Sequence, residues 1–345
     1  MIIVILFALW LHVKLRLTNM SYSVIEDNLA ALKSYRADAG QRLNWSSVFV
    51  LPEWMQVWWQ SFGEGADARI RTVKDGDRVV GIAPLMVKDD TALLIGNIGV
   101  CDYLDFVVTP GLENDFFNAV LDDLKKSGIK QLDLAHVRPD SSVVAYLVPL
   151  AESRGCRVVK DMEDVSLEMD LPPTWDEYLA ALTGKQRHEV RRKLRRLSEE
   201  GEVAYRFGGG DEVLPGLMDA FLRMFVESRR DKADFMTERM RSFFMSLADV
   251  MNKAGLLRLG VLEMDAQPLA EIMCFDYNSC IYLYNSGYDP KYTSLSAGLL
   301  SKVLAVQESI KQGKKRFDFL KGAEVYKHHL GGKEVPLYRC LITIK

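Results

Sequence analysis

Apolar and polar positions alternate along most of the chain, and their periods predict strands and helices in turn. A two-residue period is typical of strands, and it marks residues 22–25, 68–74, 78–87, 92–99, 130–135, 157–162, 165–171, 203–207, 256–262, 268–277, 280–284, 316–320 and 338–344. Apolar residues three or four apart are typical of helices, and they mark residues 27–39, 53–62, 114–127, 142–153, 174–182, 185–200, 212–228, 237–254 and 295–312. The pair Asp75-Gly76 predicts a hairpin turn between the second and third strands.

The order of these elements repeats once along the chain. Each half has helices, an antiparallel meander of about three strands, another helix and a further strand. Pro172-Pro173 interrupts the pattern, and 345 residues exceed the usual length of one domain. The pattern therefore predicts an α/β (α+β) fold made of two copies of one module, residues 21–164 and 165–345, with mixed, mostly antiparallel sheets flanked by helices.

Residues 1–20 differ from the rest because their first eleven positions are nearly all apolar. Eleven residues are too few to cross a bilayer, which needs about 20. A signal peptide would have positive charge before the apolar run and small residues after it, and this segment has neither. Three interpretations stay open: a start codon assigned upstream of Met20, a tail that makes weak contact with a membrane, and a strand.

Composition and charge narrow the class of protein. Apolar residues make up 48% and charged residues 26% of the chain, which is typical of a globular protein. A net charge of −3 gives no overall reason to expect binding to DNA. The five cysteines form no CxxC pair and no cluster with histidine at zinc spacing. We therefore expect reduced thiols, no metal and a cytoplasmic protein.

Small residues open the helix predicted at 295–312, and they are Ser294, Ser296, Ala297 and Gly298. The first turn of a helix has backbone N–H groups without intrahelical partners and the positive end of the helix dipole, which together favour an anion such as a pyrophosphate. A glycine there would let a ligand come close to the backbone. The alternative is that a serine merely caps the helix, and the residues alone do not decide between the two.

A basic stripe follows the helix predicted at 185–200. Arg187, Arg191 and Arg195 recur four residues apart and so lie on one face. In a chain with net negative charge, such a stripe suggests contact with an anionic ligand, which could be a CoA phosphate, a nucleotide-sugar, tRNA or a lipid phosphate. A solvated helix face is the other interpretation.

The motifs in the second half resemble a bacterial family. The order of strand, small-residue loop and helix, followed by FDFLKGAEVYK at 317–327, is similar to the GNAT-type acetyltransferase family linked to cellulose and exopolysaccharide biosynthesis (CelD/BcsL type), which is related to the Fem peptidyltransferases. The resemblance covers residues 44 to 335. Further matching pieces are Glu53-Trp54 with Trp58-Trp59, VGIAPL at 80–85, DYLDF at 102–106, WDEY at 175–178, Lys185-Gln186-Arg187 and GYDP at 287–290.

The resemblance implies tandem GNAT-like modules and an acyltransferase. Its co-substrate would be acyl-CoA, and its acceptor an amine of a sugar, an amino acid or an envelope precursor. The chain departs from the usual phosphate signature, Arg/Gln-x-x-Gly-x-Gly/Ala, of which Gly298 remains. Two alternatives stay open for this reason: a Fem-like transferase that uses aminoacyl-tRNA, and a non-catalytic scaffold of polysaccharide biosynthesis. The expected location is the cytoplasm, with the inner face of the membrane as the alternative.

The resemblance also suggests roles for particular residues. Many GNAT enzymes place a tyrosine where Tyr326 stands, to protonate the leaving thiolate, and Lys327 would contact a phosphate of the donor. From the residues themselves, Asp318 and Glu324 are candidates for the base that takes the proton of the amine, and Glu271, within an apolar stretch, is a third.

The acceptor would lie in the first half of the chain. Asp102, Tyr103 and Asp105 belong to the motif at 102–106 and would bind a cationic acceptor together with Tyr284, which ends a predicted strand. The other interpretation is that the two aspartates cap turns.

Overall fold

The strands of both halves join in one mixed sheet. The computed structural model describes residues 22–96, 99–208 and 214–345. In these ranges the strands are β1 Ser23–Asp27, β2 Asp67–Asp75, β3 Arg78–Lys88, β4 Thr91–Leu94, β5 Val107–Val108, β6 Gln131–Val137, β7 Arg157–Asp170, β8 Val203–Gly208, β9 Leu257–Met264, β10 Gln267–Tyr277, β11 Cys280–Tyr288, β12 Arg316–Lys321 and β13 Lys333–Thr343. The expected α/β class, with a mixed sheet flanked by helices, is confirmed.

The helices cover the sheet. They are α1 Leu29–Ala37, α2 Pro52–Phe62, α3 Glu113–Lys126, α4 Val148–Ser153, α5 Trp175–Ala181, α6 Gly184–Glu200, α7 Leu214–Ser228, α8 Arg230–Phe235, α9 Glu238–Lys253, α10 Ala297–Lys311 and α11 Val325–His329. A π-helical turn, Val143–Leu147, precedes α4, and a 3-10 turn, Pro290–Leu295, precedes α10. Within the described ranges, no helix combines the length and the apolar character that crossing a membrane requires. The apolar segment at 1–20 lies outside these ranges.

The last strand of the chain joins the two halves. The order across the sheet is β1-β2-β3-β4-β6-β13-β7-β12-β11-β10-β9-β8, with β5 paired to β3. β13 lies between β6 and β7 and is antiparallel to both. The two strands predicted at 157–162 and 165–171 form the single strand β7. This strand pairs with β13 from Arg157 to Glu168 and is not broken between the two predicted segments. The division into two modules at residue 165 stays a proposal, since Val165 lies inside this shared strand.

The predicted hairpin turn closes β2 and β3. Asp75 pairs with Arg78, which leaves a two-residue turn. Gly76 has φ +58°, in the left-handed region that glycine adopts without steric cost. The turn fixes the register in which these two strands bury their apolar residues.

Aromatic packing also connects the halves. Trp54 of α2 is fully buried, with its ring centroid 5.2 Å from that of Phe275 and 5.3 Å from that of Tyr284. Aromatic pairs at such distances add to the free energy gained by burial. α2, from the first half of the chain, therefore packs against β10 and β11 of the second, and this fixes the region in which the candidate site lies.

Candidate functional site

Two neighbouring strands separate and leave a groove between them. β11 and β12 run parallel and pair from Cys280↔Arg316 to Tyr282↔Asp318, after which their pairing stops although both strands continue. A bulge falls at the same level, where Met273 pairs with Asn285 and Cys274 with Leu283, so that Tyr284 is the extra residue. A groove of about 690 Å³ occupies the opening, and residues of both strands line it.

α10 begins at this groove. Ser296 precedes the helix with φ 57° and ψ 34°, and its carbonyl accepts the amides of Leu299 and Leu300 at 3.0 and 2.9 Å. The helix itself supplies no acceptor for the amides of Ala297 and Gly298, and both residues line the groove together with Ser296. These N–H groups and the helix dipole favour a negatively charged ligand. Ser294 lies in the 3-10 turn before α10 and does not line the groove.

Gly298 is needed for a reason other than the one expected. A Cβ atom added to it would lie 2.7 Å from Cδ1 of Tyr288. Real Cβ atoms do not come so close to a carbon atom, so the ring of Tyr288 already fills the space next to Gly298. The glycine makes room for the protein's own side chain and not for the close approach of a ligand backbone.

Tyr326 lines the same groove at the start of α11. Burial raises the pKa of its hydroxyl above the usual value, so the group is protonated at neutral pH. The ammonium group of Lys302 lies 5.1 Å from its ring centroid. Tyr326 therefore presents a protonated hydroxyl beside a cation.

Two lysines that the sequence analysis did not single out line the groove with Tyr326. Lys232 of α8 donates to the carbonyl of Ser286, and Lys302 of α10 donates to the carbonyl of Gly298 at 2.6 Å. Burial lowers the pKa of Lys232 to about 8 and that of Lys302 to about 7. Lysines with depressed pKa values in a groove are typical of functional sites.

The ammonium group of Lys327 is occupied by the protein itself. It lies 3.1, 2.5 and 3.0 Å from the carbonyl oxygens of Leu320, Lys321 and Gly322, and 2.8 Å from a carboxylate oxygen of Glu324. A lysine has three N–H donors, so none is left for a phosphate. These contacts differ from the role expected for Lys327, because they hold the backbone at the end of β12.

That stretch of backbone is strained. Leu320 has φ +62°, a conformation that costs free energy in a bulky residue. Its amide donates to Oδ1 of Asp318 at 2.8 Å, and its carbonyl accepts from Lys327. Asp318 and Lys327 thus hold both polar groups of a strained residue that lines the groove.

The three carboxylates of the described residues that line the groove are Asp102, Asp231 and Glu324. Asp231 forms an ion pair with Arg229, and Glu324 forms one with Lys327. Burial opposes a low pKa of Glu324, but the hydrogen bond and the charge of Lys327 help to lower that pKa below its usual value. Burial raises the pKa of Asp102, which accepts the amide of Lys321 at 3.0 Å. Asp102 is the better proton acceptor of the three, because a raised pKa makes its carboxylate more basic.

Three further candidates lie outside the groove. Tyr103, Asp105 and Asp318 line a second pocket of about 400 Å³ that shares no lining residue with the groove. Asp105 accepts the amide and the hydroxyl of Ser142 at 2.9 and 2.6 Å, as a capping aspartate does, and burial raises its pKa to about 6. Asp318, expected as a base together with Tyr326, is thereby separated from it. Tyr284 does line the groove, and its hydroxyl donates to the carbonyl of Val100 at 3.0 Å.

The basic stripe of α6 does not line the groove either. Arg187 donates to the carbonyls of Leu179, Ala180 and Leu182 at 3.2 to 3.4 Å. It satisfies carbonyls at the end of α5, where a cation also complements the helix dipole. Arg191 is exposed. One lysine of α6, Lys193, donates to Oγ of Ser296 at 2.8 Å and so contacts the start of α10.

Known structures share this arrangement of elements. FemX superposes with a TM-score of 0.62 at 13% identity, over 92% of this chain and 96% of its own. A conserved protein of unknown function from Bacteroides thetaiotaomicron superposes with a TM-score of 0.59 at 12% identity, over 94% of this chain and 100% of its own. L-PGS from Bacillus licheniformis superposes with a TM-score of 0.52 at 12% identity, over 84% of this chain and 90% of its own. At such identities the likeness concerns the fold alone.

Sequence comparison points to the same fold. No curated protein matches the sequence. Residues 184–328, which run from α6 to α11 and hold most residues of the groove, match the family model of the acetyltransferase (GNAT) domain.

Proposed function

We propose that this chain is an acyltransferase that moves an acyl group from acyl-CoA to an amine of a sugar, an amino acid or an envelope precursor. One observation carries the proposal: a single groove joins the first turn of α10, the separated strands β11 and β12, Tyr326 and Asp102. The match of residues 184–328 to the acetyltransferase domain supports the reaction class.

The groove offers suitable partners to each part of acyl-CoA. The amides of Ala297 and Gly298 suit its phosphates. The edges of β11 and β12 stop pairing with each other, so their backbone groups can pair with the two amides of an extended pantetheine arm, as strands pair with added strands. The arm would then lead from the start of α10 to Tyr326.

The groups in the groove account for both proton transfers. The nitrogen of the amine attacks the carbonyl carbon of the thioester, and its proton passes to the carboxylate of Asp102. The carbon–sulfur bond breaks, and the sulfur takes the proton of the Tyr326 hydroxyl, which solvent restores. A carboxylate with a raised pKa and a hydroxyl that is protonated at neutral pH suit these two roles.

The motifs that resemble the family linked to cellulose and exopolysaccharide biosynthesis support an envelope precursor as the acceptor. We place the reaction in the cytoplasm, where acyl-CoA is found.

Transfer from aminoacyl-tRNA is the second candidate. It is favoured by the loop before α10, where a single glycine of the usual phosphate signature remains and the ring of Tyr288 fills the space beside it. An aminoacyl ester brings no pyrophosphate to this turn, so it would need fewer amides there.

Calorimetric titration with CoA, acetyl-CoA and palmitoyl-CoA tests the proposal. We expect binding that Thr293→Glu weakens about tenfold or more, because Thr293 lines the groove from the 3-10 turn before α10 and a carboxylate there repels phosphate. Ser294→Glu is the matched control: it adds the same charge to an exposed neighbour that does not line the groove, and it should bind like the unchanged protein.

Each other result points to a different function. No binding of any CoA compound, together with binding of charged tRNA, would support aminoacyl transfer. If neither donor binds, the protein transfers no group from acyl-CoA or aminoacyl-tRNA, and this result would support a non-catalytic scaffold.

A further inference from the structure

Lys232 and Lys302 face the groove from two different helices. Lys232 comes from α8 and Lys302 from α10, and both line the cavity that holds Tyr326. Lys302 is only 7% exposed. Burial is the main cause that lowers the pKa of Lys302, and the charge of Lys232 lowers it further.

Each ammonium group has the same kind of surroundings. Lys232 donates to one backbone carbonyl, that of Ser286, and lies 4.7 Å from the ring centroid of Phe225. Lys302 donates to the carbonyl of Gly298 and lies 5.1 Å from the ring centroid of Tyr326. A lysine has three N–H donors. Each ammonium group therefore keeps donors that the protein does not use.

Neither lysine has a carboxylate within ion-pair distance among the described residues. The other two cations of the groove whose partners are known do: Arg229 pairs with Asp231 at 2.9 Å, and Lys327 pairs with Glu324 at 2.8 Å. Two of the three described carboxylates that line the groove are thus already paired, and the third, Asp102, accepts the amide of Lys321 and forms no ion pair with either lysine. Lys302 is buried and Lys232 is half-buried, and enclosing two like charges without an ion-pair partner costs free energy. An anion between them in the groove would offset that cost.

We infer that the groove holds a second anionic group, a carboxylate or a phosphate, between Lys232 and Lys302, in addition to the phosphates of the donor. This inference rests on the proposed function and names a substrate class for it. The anion belongs to the part of the substrates that reacts, because Lys302 lies against Tyr326. Its source is either an acyl group that ends in a carboxylate or an amine acceptor that carries a carboxylate or phosphate. An acyl group with a free ammonium, such as a lysyl group, would be repelled.

Two titrations separate these sources. Succinyl-CoA and butyryl-CoA have four-carbon acyl groups that differ in the terminal carboxylate. If the acyl group supplies the anion, succinyl-CoA should bind about tenfold more tightly. If the acceptor supplies it, the two should bind alike and inorganic phosphate should bind to the protein saturated with CoA. The tighter binding of succinyl-CoA in the first case, or the binding of phosphate in the second, should disappear in Lys232→Met and in Lys302→Met. It should persist in Lys315→Met, a matched change of an exposed lysine.

Proton uptake gives a second readout. An anion beside the pair raises both pKa values, so binding at about pH 8 should take up protons, and titration in buffers of different ionisation enthalpy measures this. Uptake should be lost in Lys302→Met. That variant removes an uncompensated buried charge, so it should melt no lower than the unchanged protein, which shows that it folds.

The inference would be overturned if neither the binding of succinyl-CoA nor the binding of phosphate depends on the two lysines. It would also be overturned if both variants weaken butyryl-CoA as much as succinyl-CoA, since the pair would then serve the donor's own phosphates. Failure of every CoA compound to bind, beside binding of inorganic phosphate that needs both lysines, would reject the proposed donor and keep the anion site.

Discussion

The hydroxyl of Tyr103 lies 2.8 and 2.9 Å from the two carboxylate oxygens of Asp318, 215 residues further along the chain. Oδ1 of Asp318 also accepts the amide of Leu320, the strained residue that lines the groove. The motif at 102–106 and the strand β12 are therefore joined by a buried polar contact. Asp102 contributes to the groove, and Tyr103 helps to fix the opposite side of the backbone that frames it.

Tyr103→Phe should reduce stability more at high pH than at low pH. Burial raises the pKa of Asp318 to about 7, and the hydroxyl of Tyr103 limits that rise. The contribution of this carboxyl to stability is complete below its unfolded pKa of about 3.9 and is lost as the pH rises through about 7. Without the hydroxyl the pKa rises further and the loss grows. We expect the variant to lose about 1 kcal/mol or more at pH 8 and less at pH 5, measured by urea unfolding.

Tyr146→Phe is the control for this measurement, because Tyr146 lines the same pocket but is 38% exposed. Its stability should follow that of the unchanged protein at both pH values. An equal loss at pH 5 and pH 8 in Tyr103→Phe would show that Tyr103 contributes by packing and not through Asp318.

Tyr326→Phe should lower turnover and leave donor affinity unchanged. The ring and its contact with Lys302 remain, whereas the proton that the sulfur would take is gone. Loss of a general acid costs about 100-fold or more in rate. Release of CoA can be followed with a thiol reagent while amines are offered as acceptors, and calorimetry gives the affinity for acetyl-CoA. Tyr288→Phe is a matched change in the same groove, and equal rates in the two variants would remove Tyr326 from the acid role.

Lys327→Met should destabilise the end of β12. The carbonyls of Leu320, Lys321 and Gly322 would lose their common donor, and Leu320 would lose a contact that maintains its positive φ. We expect a loss of about 2 to 4 kcal/mol in the free energy of unfolding. Lys333→Met, a change of an exposed lysine, should stay within about 0.5 kcal/mol of the unchanged protein. A stable Lys327→Met variant that binds acetyl-CoA less well would return Lys327 to the phosphate-binding role.

Arg187→Ala distinguishes a helix cap from a ligand contact. The side chain donates to three carbonyls around the end of α5, so its removal should cost about 1 kcal/mol of stability. The affinity for acetyl-CoA should not change, because Arg187 does not line the groove. Calorimetry and urea unfolding of the one variant check both statements, and weaker binding with unchanged stability would contradict them.

Local patterns predicted elements well and their arrangement less well. The alternation in 78–87 is enough to predict β3, since the strand period depends on neighbouring residues. The place of β13 between β6 and β7 depends on residues about 200 positions apart, which a local period does not contain. For the same reason the predicted strand at 338–344 begins earlier in the structure, at Lys333, where pairing with β7 starts.

The candidate site was predicted in part for a similar reason. Position before a helix is a local property and predicts Gly298, whereas the role of Tyr326 is predicted from the resemblance to GNAT enzymes. Lys302 was missed although a signal exists: it is the one charged residue between Ala297 and Gln307, in a helix buried on most sides. Asp318 and Asp102 could not be separated by sequence, because the two pockets are distinguished only once the strands are in place.

Gly298→Ala tests whether the start of α10 depends on its contact with Tyr288. The added methyl group would meet the ring at 2.7 Å, so either the ring or the helix must move. Overpacking of this kind costs about 1 to 3 kcal/mol. Gly216→Ala makes the same change within α7 at a position where the new methyl group meets nothing within 4 Å. This control should gain about 0.5 to 1 kcal/mol, because alanine favours the helix.

Combining Gly298→Ala with Tyr288→Ala separates the contact from the helix. If the clash with the ring is the cause, Gly298→Ala should cost little stability when it is introduced into the Tyr288→Ala variant, because the methyl group then has room. Urea unfolding of the four proteins gives this coupling free energy. Acetyl-CoA affinity, measured beside it, should fall in Gly298→Ala because displacement of the first turn moves the amides of Ala297 and Gly298 from the groove. Additive effects in the cycle would mean that the loss in Gly298→Ala does not arise from the contact with Tyr288.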